Sequence, residues 1–231
     1  MFHLIIGNKN YSSWSMRPWV LMRQFGIPFT EERLRFDSFA PGSAFKTALA
    51  GRSPTGKVPL LEHGPLRIWD TLAIAEYLAE WAAAQQPALH LWPRAPAARA
   101  VARSVCAEMH SGFAALRQAC PLNVEARLSE VGAIIWRDRP TVRADVARLC
   151  QMWQGLLDQS GGPMLFGDFS VADAYYAPVV LRLKTYALPL PEPIQAYAAR
   201  VCALTAVREW VDQACAEADF LDFEEPYRLH R

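Results

Sequence analysis

No cysteine occurs in the first hundred residues of this sequence. The five that follow, Cys106, Cys120, Cys150, Cys202 and Cys215, are odd in number and never fall as C-x-x-C. That argues against a disulfide framework and against a thiolate zinc site, and no metal is expected. Charge of one sign is also missing: 24 Lys and Arg balance 23 Asp and Glu, for a net charge of +1. A phosphate-neutralising surface is not expected, so nucleic acid is excluded as a partner. Apolar runs long enough to span a bilayer are absent. The apolar run after Met1 is too short for the h-region of a signal peptide. These absences predict a soluble cytoplasmic protein with no membrane partner. There is no internal repeat and no low-complexity tract.

What is present suffices for a packed core. Apolar residues make up 52% and charged residues 20% of the 231 positions, an ordinary globular composition for one or two domains. The first 86 residues alternate between strand-like and helix-like patterns. Phe2 to Ile6 predicts a buried strand. Met16, Trp19, Val20 and Phe25 recur at helical spacing over Ser15 to Phe25, and Gly26-Ile27-Pro28 ends that helix. Phe29 to Phe36 alternates like an edge strand, and Ser43 to Ala50 predicts a short helix. Val58 to Glu62 and Leu66 to Ile68 predict two strands about the turn His63-Gly64-Pro65. Asp70 to Ala84 predicts a helix. The order is βαβαββα over residues 1–86. Prolines at 87, 93 and 96 mark a linker over 87–96. From 97 to 231 the strand signals vanish, and helical patterns run over Ala97 to Ala119, Thr141 to Ser160, Val171 to Tyr186, Pro193 to Val201 and Ala206 to Ala218. The fold class is an α+β domain followed by an all-α domain.

Three segments carry chemistry. In the first, Asn10-Tyr-Ser-Ser-Trp-Ser-Met-Arg-Pro-Trp19, three serines precede a helix. One serine there is a cap. A hydroxyl and a helix N-terminus aimed at one point would also stabilise an anion, and for a thiol would lower its pKa. In the second, Thr55 to Glu62, Pro59 opens a strand. An ordinary trans proline explains that position, and about one X-Pro bond in twenty is cis. A cis bond would instead turn the Val58 N–H and C=O toward a ligand. In the third, Asp70-Thr71 begins a helix. Taken alone, the pair reads as a cap. Alternatively the Thr71 hydroxyl and N–H would hold a ligand carboxylate at the positive helix end, with Asp70 on a ligand ammonium.

These segments, in this order, resemble the cytosolic glutathione S-transferases, and Gly167-Asp-Phe-Ser-Val-Ala-Asp-Ala-Tyr-Tyr-Ala-Pro178 extends the resemblance into the second unit. The resemblance implies a thioredoxin-like domain joined to a helical domain, reduced glutathione as co-substrate and a homodimer. The opening segment looks most like the zeta class and related bacterial members, whose motif is S-S-x-S-W-R-V-R. That match makes Ser12, with Ser13, the candidate hydroxyl for the glutathione thiolate. It places Trp14 in the same pocket and Arg17 one turn into the helix. Two departures separate the chain from that class: Trp14 stands where zeta enzymes have cysteine, and Pro18-Trp19 replaces V-R. The resemblance also implies that Val58, before Pro59, pairs with the cysteinyl unit. Thr71 then takes the γ-glutamyl carboxylate, and Asp70 its amino group. Lys57 or Arg52 meets the glycyl carboxylate. Members that transfer thiols through their own cysteine place it in the opening motif, and none is present here. The expected chemistry is therefore attack by the glutathione sulfur on an electrophile. Glutathione-dependent isomerisation, hydroperoxide reduction and a non-catalytic binding module stand as alternatives.

Met109, Phe113 and Leu116 share one helical face, which reads either as core or as the electrophile site. His110 has no partner carboxylate in the sequence pattern and reads as a solvated or satisfied histidine. Ser170-Val-Ala-Asp173 reads as a capping box.

Overall fold

The computed structural model describes residues 1–231. Strand β1 (Phe2–Ile6) lies inside a four-stranded sheet of order β2-β1-β3-β4. Its residues, apolar but for the half-buried His3, fit that place, since an inner strand is covered on both faces. β2 (Phe29–Arg33) pairs with it in parallel, Phe2 opposite Phe29, and forms an edge with charged residues outward. β3 (Leu60–His63) and β4 (Leu66–Trp69) complete the sheet in antiparallel register. Helices α1 (Ser13–Gln24), α2 (Ala44–Leu49) and α3 (Thr71–Gln85) give the order βαβαββα. The third strand starts at Leu60, two residues later than the pattern suggested, because Val58 and Pro59 form the turn leading into it.

The helical domain contains α4 (Pro96–Ser111), α5 (Ala114–Ala119), α6 (Ser129–Asp138), α7 (Pro140–Ser160), α8 (Val171–Thr185), α9 (Glu192–Ala203) and α10 (Thr205–Ala216). Two of these correct the sequence reading. The single helix expected over Ala97 to Ala119 is broken: Gly112 ends α4, and Phe113 adopts a left-handed conformation at φ 55° before α5 sets off. Helix α6 was not foreseen. It is packed against the end of α8, where a Cβ on Gly132 would meet the Tyr186 carbonyl oxygen at 1.7 Å.

Helix α8 is buried on all sides, with Lys184 its one exposed residue. A helix apolar all round belongs in a core. The capping box read from the sequence is formed: the Ser170 hydroxyl accepts from the Ala172 N–H, and the Asp173 carboxylate accepts from the Ser170 N–H at 2.9 Å. α8 packs against both α1 and α4, so its polar groups reach the site from below. No helix of the chain is long and apolar enough to cross a membrane.

Candidate functional site

The site begins at the N-terminus of α1. Ser12 is its cap: its hydroxyl accepts from the Ser15 N–H at 3.4 Å and donates to the Ser15 hydroxyl at 2.7 Å. Ser15 in turn accepts from the Gly7 N–H at 3.2 Å. Two of the three serines are thus occupied in holding the turn between β1 and α1. Ser13 differs. Its oxygen accepts from Arg182 of α8 at 3.0 Å, and no acceptor within the chain takes its proton.

Arg17, one turn on, points inward. It is buried, donates through Nε to the Tyr175 carbonyl at 3.1 Å, and leaves Nη1 without a partner. Its guanidinium lies 3.9 Å from the centre of the Trp14 ring, a cation–π contact. Burial pushes its pKa down to about 9. Trp14 also meets Arg117 at 5.2 Å and the His110 ring at 5.0 Å. One indole is therefore surrounded by two guanidinium groups and an imidazole.

The bond between Val58 and Pro59 is cis, against the preference that X-Pro statistics alone would give. No hydrogen bond within the chain engages the Val58 N–H or C=O. The preceding turn is held by the Ser53 hydroxyl, which donates to the Lys57 carbonyl at 3.1 Å and accepts from the Lys57 N–H at 3.3 Å. Arg52 points elsewhere. It binds Glu32 at 2.9 Å and Glu62 at 3.2 Å, and its hydrogen bonds hold the Glu32 carboxyl down to about 2.

Asp70 caps α3, with Oδ1 accepting from the Leu72 and Ala73 N–H groups at 2.8 and 3.2 Å. It does so at φ 80°, a backbone conformation costly for a non-glycine residue and concentrated at functional sites. Its second oxygen lies 3.3 Å from Nε2 of His110. The histidine thus has the partner carboxylate that the sequence pattern did not reveal, and its Nδ1 is buried without a partner. Thr71 is buried, its hydroxyl 2.5 Å from the Tyr175 hydroxyl of α8.

These elements enclose two cavities that share a wall. The first, about 490 Å³, is lined by Trp14, Thr55, Lys57, Val58, Pro59, Trp69, Asp70, Thr71, His110 and Arg117. It unites six of the residues singled out in the sequence: Trp14, Lys57, Val58, Pro59, Asp70 and Thr71. The second, about 360 Å³, is lined by Tyr11, Ser13, Trp14, Arg117, Gln118, Pro121, Leu122, Arg182, Glu224 and Ala114. Trp14 and Arg117 belong to both. Ser12 lines neither. Arg17 lies beneath Trp14 rather than on a wall.

Met109, Phe113 and Leu116 sit in the hydrophobic core, each 6% exposed or less, and none lines either cavity. The helical domain presents His110, Arg117 and Arg182 to the cavities in their place. Arg117 reaches them because of the break at Gly112. After it, α5 turns back and the Arg117 guanidinium donates to the His110 and Gly112 carbonyls at 3.2 and 3.3 Å. Arg182, on the buried α8, gave no sequence signal because helical patterns assign such a position to core. The tail also contributes: Glu224 lines the second cavity, and Tyr11 donates to Glu225 at 2.7 Å.

Residues 11–81 match the N-terminal domain of glutathione S-transferases, and residues 99–213 match their C-terminal domain. No curated protein matches the chain. Solved structures do, at low identity. A glutathione transferase homologue from Burkholderia gl BGR1, with bound glutathione, superposes with a TM-score of 0.69 at 24% identity, over 93% of this chain and 98% of that one. The tau-class glutathione S-transferase from mango, Mangifera indica, gives 0.69 at 18% identity, over 94% and 96%. The theta-class enzyme from Xanthomonas axonopodis pv. citri, with glutathione bound, gives 0.62 at 24%, over 91% and 96%. At such identities the likeness establishes the architecture, a thioredoxin-like domain followed by a helical one. Matched in sequence over both of its domains and in fold along nearly its whole length, the chain belongs to the glutathione S-transferase family.

Proposed function

We propose that this chain is a glutathione transferase that binds reduced glutathione in the first cavity and activates its thiol with the Ser13 hydroxyl. The observation that carries the reading is the convergence of Val58-Pro59, Asp70-Thr71 and Trp14 on one wall-sharing cavity. The free N–H and C=O of Val58 offer an extended peptide one donor and one acceptor, the pairing that a strand edge gives. The N-terminus of α3 offers Thr71 and a positive dipole end to the γ-glutamyl carboxylate. The second oxygen of Asp70 faces the γ-glutamyl ammonium, and Lys57 takes the glycyl carboxylate. A tripeptide so laid out puts its sulfur at the Trp14 end, beside the start of α1.

Of the two serines the resemblance offers, Ser13 fits the thiolate better. The Ser12 proton is given to Ser15, whereas the Ser13 oxygen is polarised by Arg182 and its proton is free. Ser12 then acts by fixing the helix end. The positive end of α1 and the guanidinium of Arg17 beneath Trp14 add to the field that favours a thiolate. The thiolate attacks the electrophile, and the second cavity is the space left for it beside Trp14. Conjugation, isomerisation and hydroperoxide reduction share this thiolate, and a substrate panel separates them. The family resemblance further implies a cytoplasmic homodimer, which light scattering tests.

The deciding experiment compares the wild type with Ser13→Ala and Ser12→Ala. Ser13→Ala is expected to remove most of the ultraviolet thiolate absorbance of bound glutathione and to lower conjugation by roughly a hundredfold, the scale of losing one donor to a developing anion. Unchanged conjugation in Ser13→Ala would return the role to Ser12. An absence of binding heat at millimolar glutathione would instead leave a binding module that kept the fold.

A further inference from the structure

The second cavity holds more positive charge than its walls neutralise. Arg182 is 8% exposed, and its two terminal nitrogens donate to the Cys120 carbonyl at 2.6 Å and to the Ser13 hydroxyl. Arg117 donates to two backbone carbonyls, and Arg17 to a third. All of these acceptors are neutral oxygens. A buried guanidinium without a carboxylate is costly, and proteins seldom keep one without a use for it. Arg17, beneath the shared Trp14 and on neither wall, also has a buried nitrogen with no partner. Burial likewise pushes the Arg182 pKa down to about 10. Glu224 is the one acid on the wall; it makes no ion pair with these arginines, and burial pushes its own carboxyl upward.

The rest of the wall is mixed, with the polar side chains of Tyr11, Ser13 and Gln118 beside an apolar part. Trp14 supplies an aromatic surface, and Pro121 and Leu122 close the opposite part of the cavity. A volume of about 360 Å³ suits a small ring system rather than a peptide. The arrangement combines an aromatic face with two planar, forked donors on the same cavity wall. Forked donors match a carboxylate in two parallel hydrogen bonds.

We propose that the second cavity selects electrophiles that carry a carboxylate, with Arg117 and Arg182 holding the carboxylate and Trp14 stacking the apolar body. This assigns the substrate class for the glutathione reading above and rests on it for turnover, though not for binding. The preference comes from the helical domain and the buried α8, not from the glutathione residues of the first domain. Glu224 limits the count: one negative charge is accommodated and a second is opposed.

The test uses two unreactive probes of the same shape, 1-naphthoate and 1-naphthamide, titrated by calorimetry into the full chain. Naphthoate is expected to bind at least tenfold more tightly in the wild type. Arg117→Gln should bring the two within about twofold of each other, and Arg117→Lys should restore part of the difference. Glu224→Gln should tighten naphthoate severalfold and leave naphthamide unchanged, a readout that a merely structural Glu224 would not move. Should Arg117→Gln fail to fold, Glu224→Gln and the wild-type comparison decide alone. Equal affinity for the two probes in the wild type overturns the proposal, as does a naphthoate preference that ignores both substitutions. Glutathione titrated into the same protein separates the two readings. Loss of glutathione binding with the naphthoate preference intact would defeat the transferase, not the anion-selecting cavity.

Discussion

Thr71 and Tyr175 share a hydrogen bond of 2.5 Å and are almost wholly buried, 3% and 1% exposed. The bond ties the first turn of α3, where the proposed ligand carboxylate sits, to the central helix of the other domain. Removing one partner leaves the other polar and buried, which costs about 1–3 kcal/mol. Tyr175→Phe does so with no change of shape, and leaves the Tyr175 carbonyl that binds Arg17 in place. Thr71→Val does so from the other side. Two independent losses would sum to about 2–6 kcal/mol, but the double variant has no orphaned oxygen and should lose only about 1 kcal/mol. The coupling energy should therefore be about 1–5 kcal/mol, read from urea midpoints of the four proteins. Additivity within about 0.5 kcal/mol would refute the claim that the two hydroxyls satisfy each other. Glutathione affinity gives a second reading. If Tyr175 donates, the Thr71 proton is free for the ligand, and Tyr175→Phe should weaken binding by up to about tenfold by releasing that orientation.

Three other outcomes follow from the structure. Ser170→Ala should lower stability by about 0.5–2 kcal/mol through the lost cap of α8, measured by denaturant unfolding. Gly132→Ala should destabilise far more than an ordinary exposed helix substitution, because its methyl would strike the Tyr186 carbonyl; a melting temperature equal to the wild type would refute the close packing of α6 on Tyr186. Glu32 has its folded pKa lowered from 4.5 to about 2, so its contribution is full above pH 4.5 and disappears as the pH falls toward 2. Glu32→Gln should remove that acid-side slope, by less than about 1 kcal/mol because the pair is partly exposed, and added salt should mimic the variant.

The sequence was most legible where function and periodicity coincide. The succession of strands and helices along the first domain, the start of α3 at Asp70-Thr71 and the capping box at Ser170 rest on local rules, and the chain obeys them. The first cavity was legible for the same reason, since its residues cluster in three short segments. The second cavity was not. Its arginines come from a helix break at Gly112 and from the interior of α8, and neither position carries a periodic signal. A left-handed Phe113 is a tertiary accommodation that propensity does not foresee. Met109, Phe113 and Leu116 illustrate the converse: their spacing marked one face of a single helix, and although that helix breaks at Gly112 all three are packed in the core. The pairing of His110 with Asp70 joins residues forty positions apart through a contact that only the packed domains create.

The loop from Asn8 to Tyr11 borrows its satisfaction from the far end of the chain. Asn8 and the Lys9 N–H bind Glu217, and Asn8 also binds Asp219. Tyr11 binds Glu225, while the indole N–H of Trp210 donates to the Lys9 carbonyl at 3.0 Å. During synthesis the first strand and its loop leave the ribosome long before these partners exist. A first domain emerging alone would carry open donors and acceptors directly in front of helix α1. The turn that presents Ser13 gains these partners only after residues 210–225 have been made, so the start of the site waits on side chains two hundred positions away.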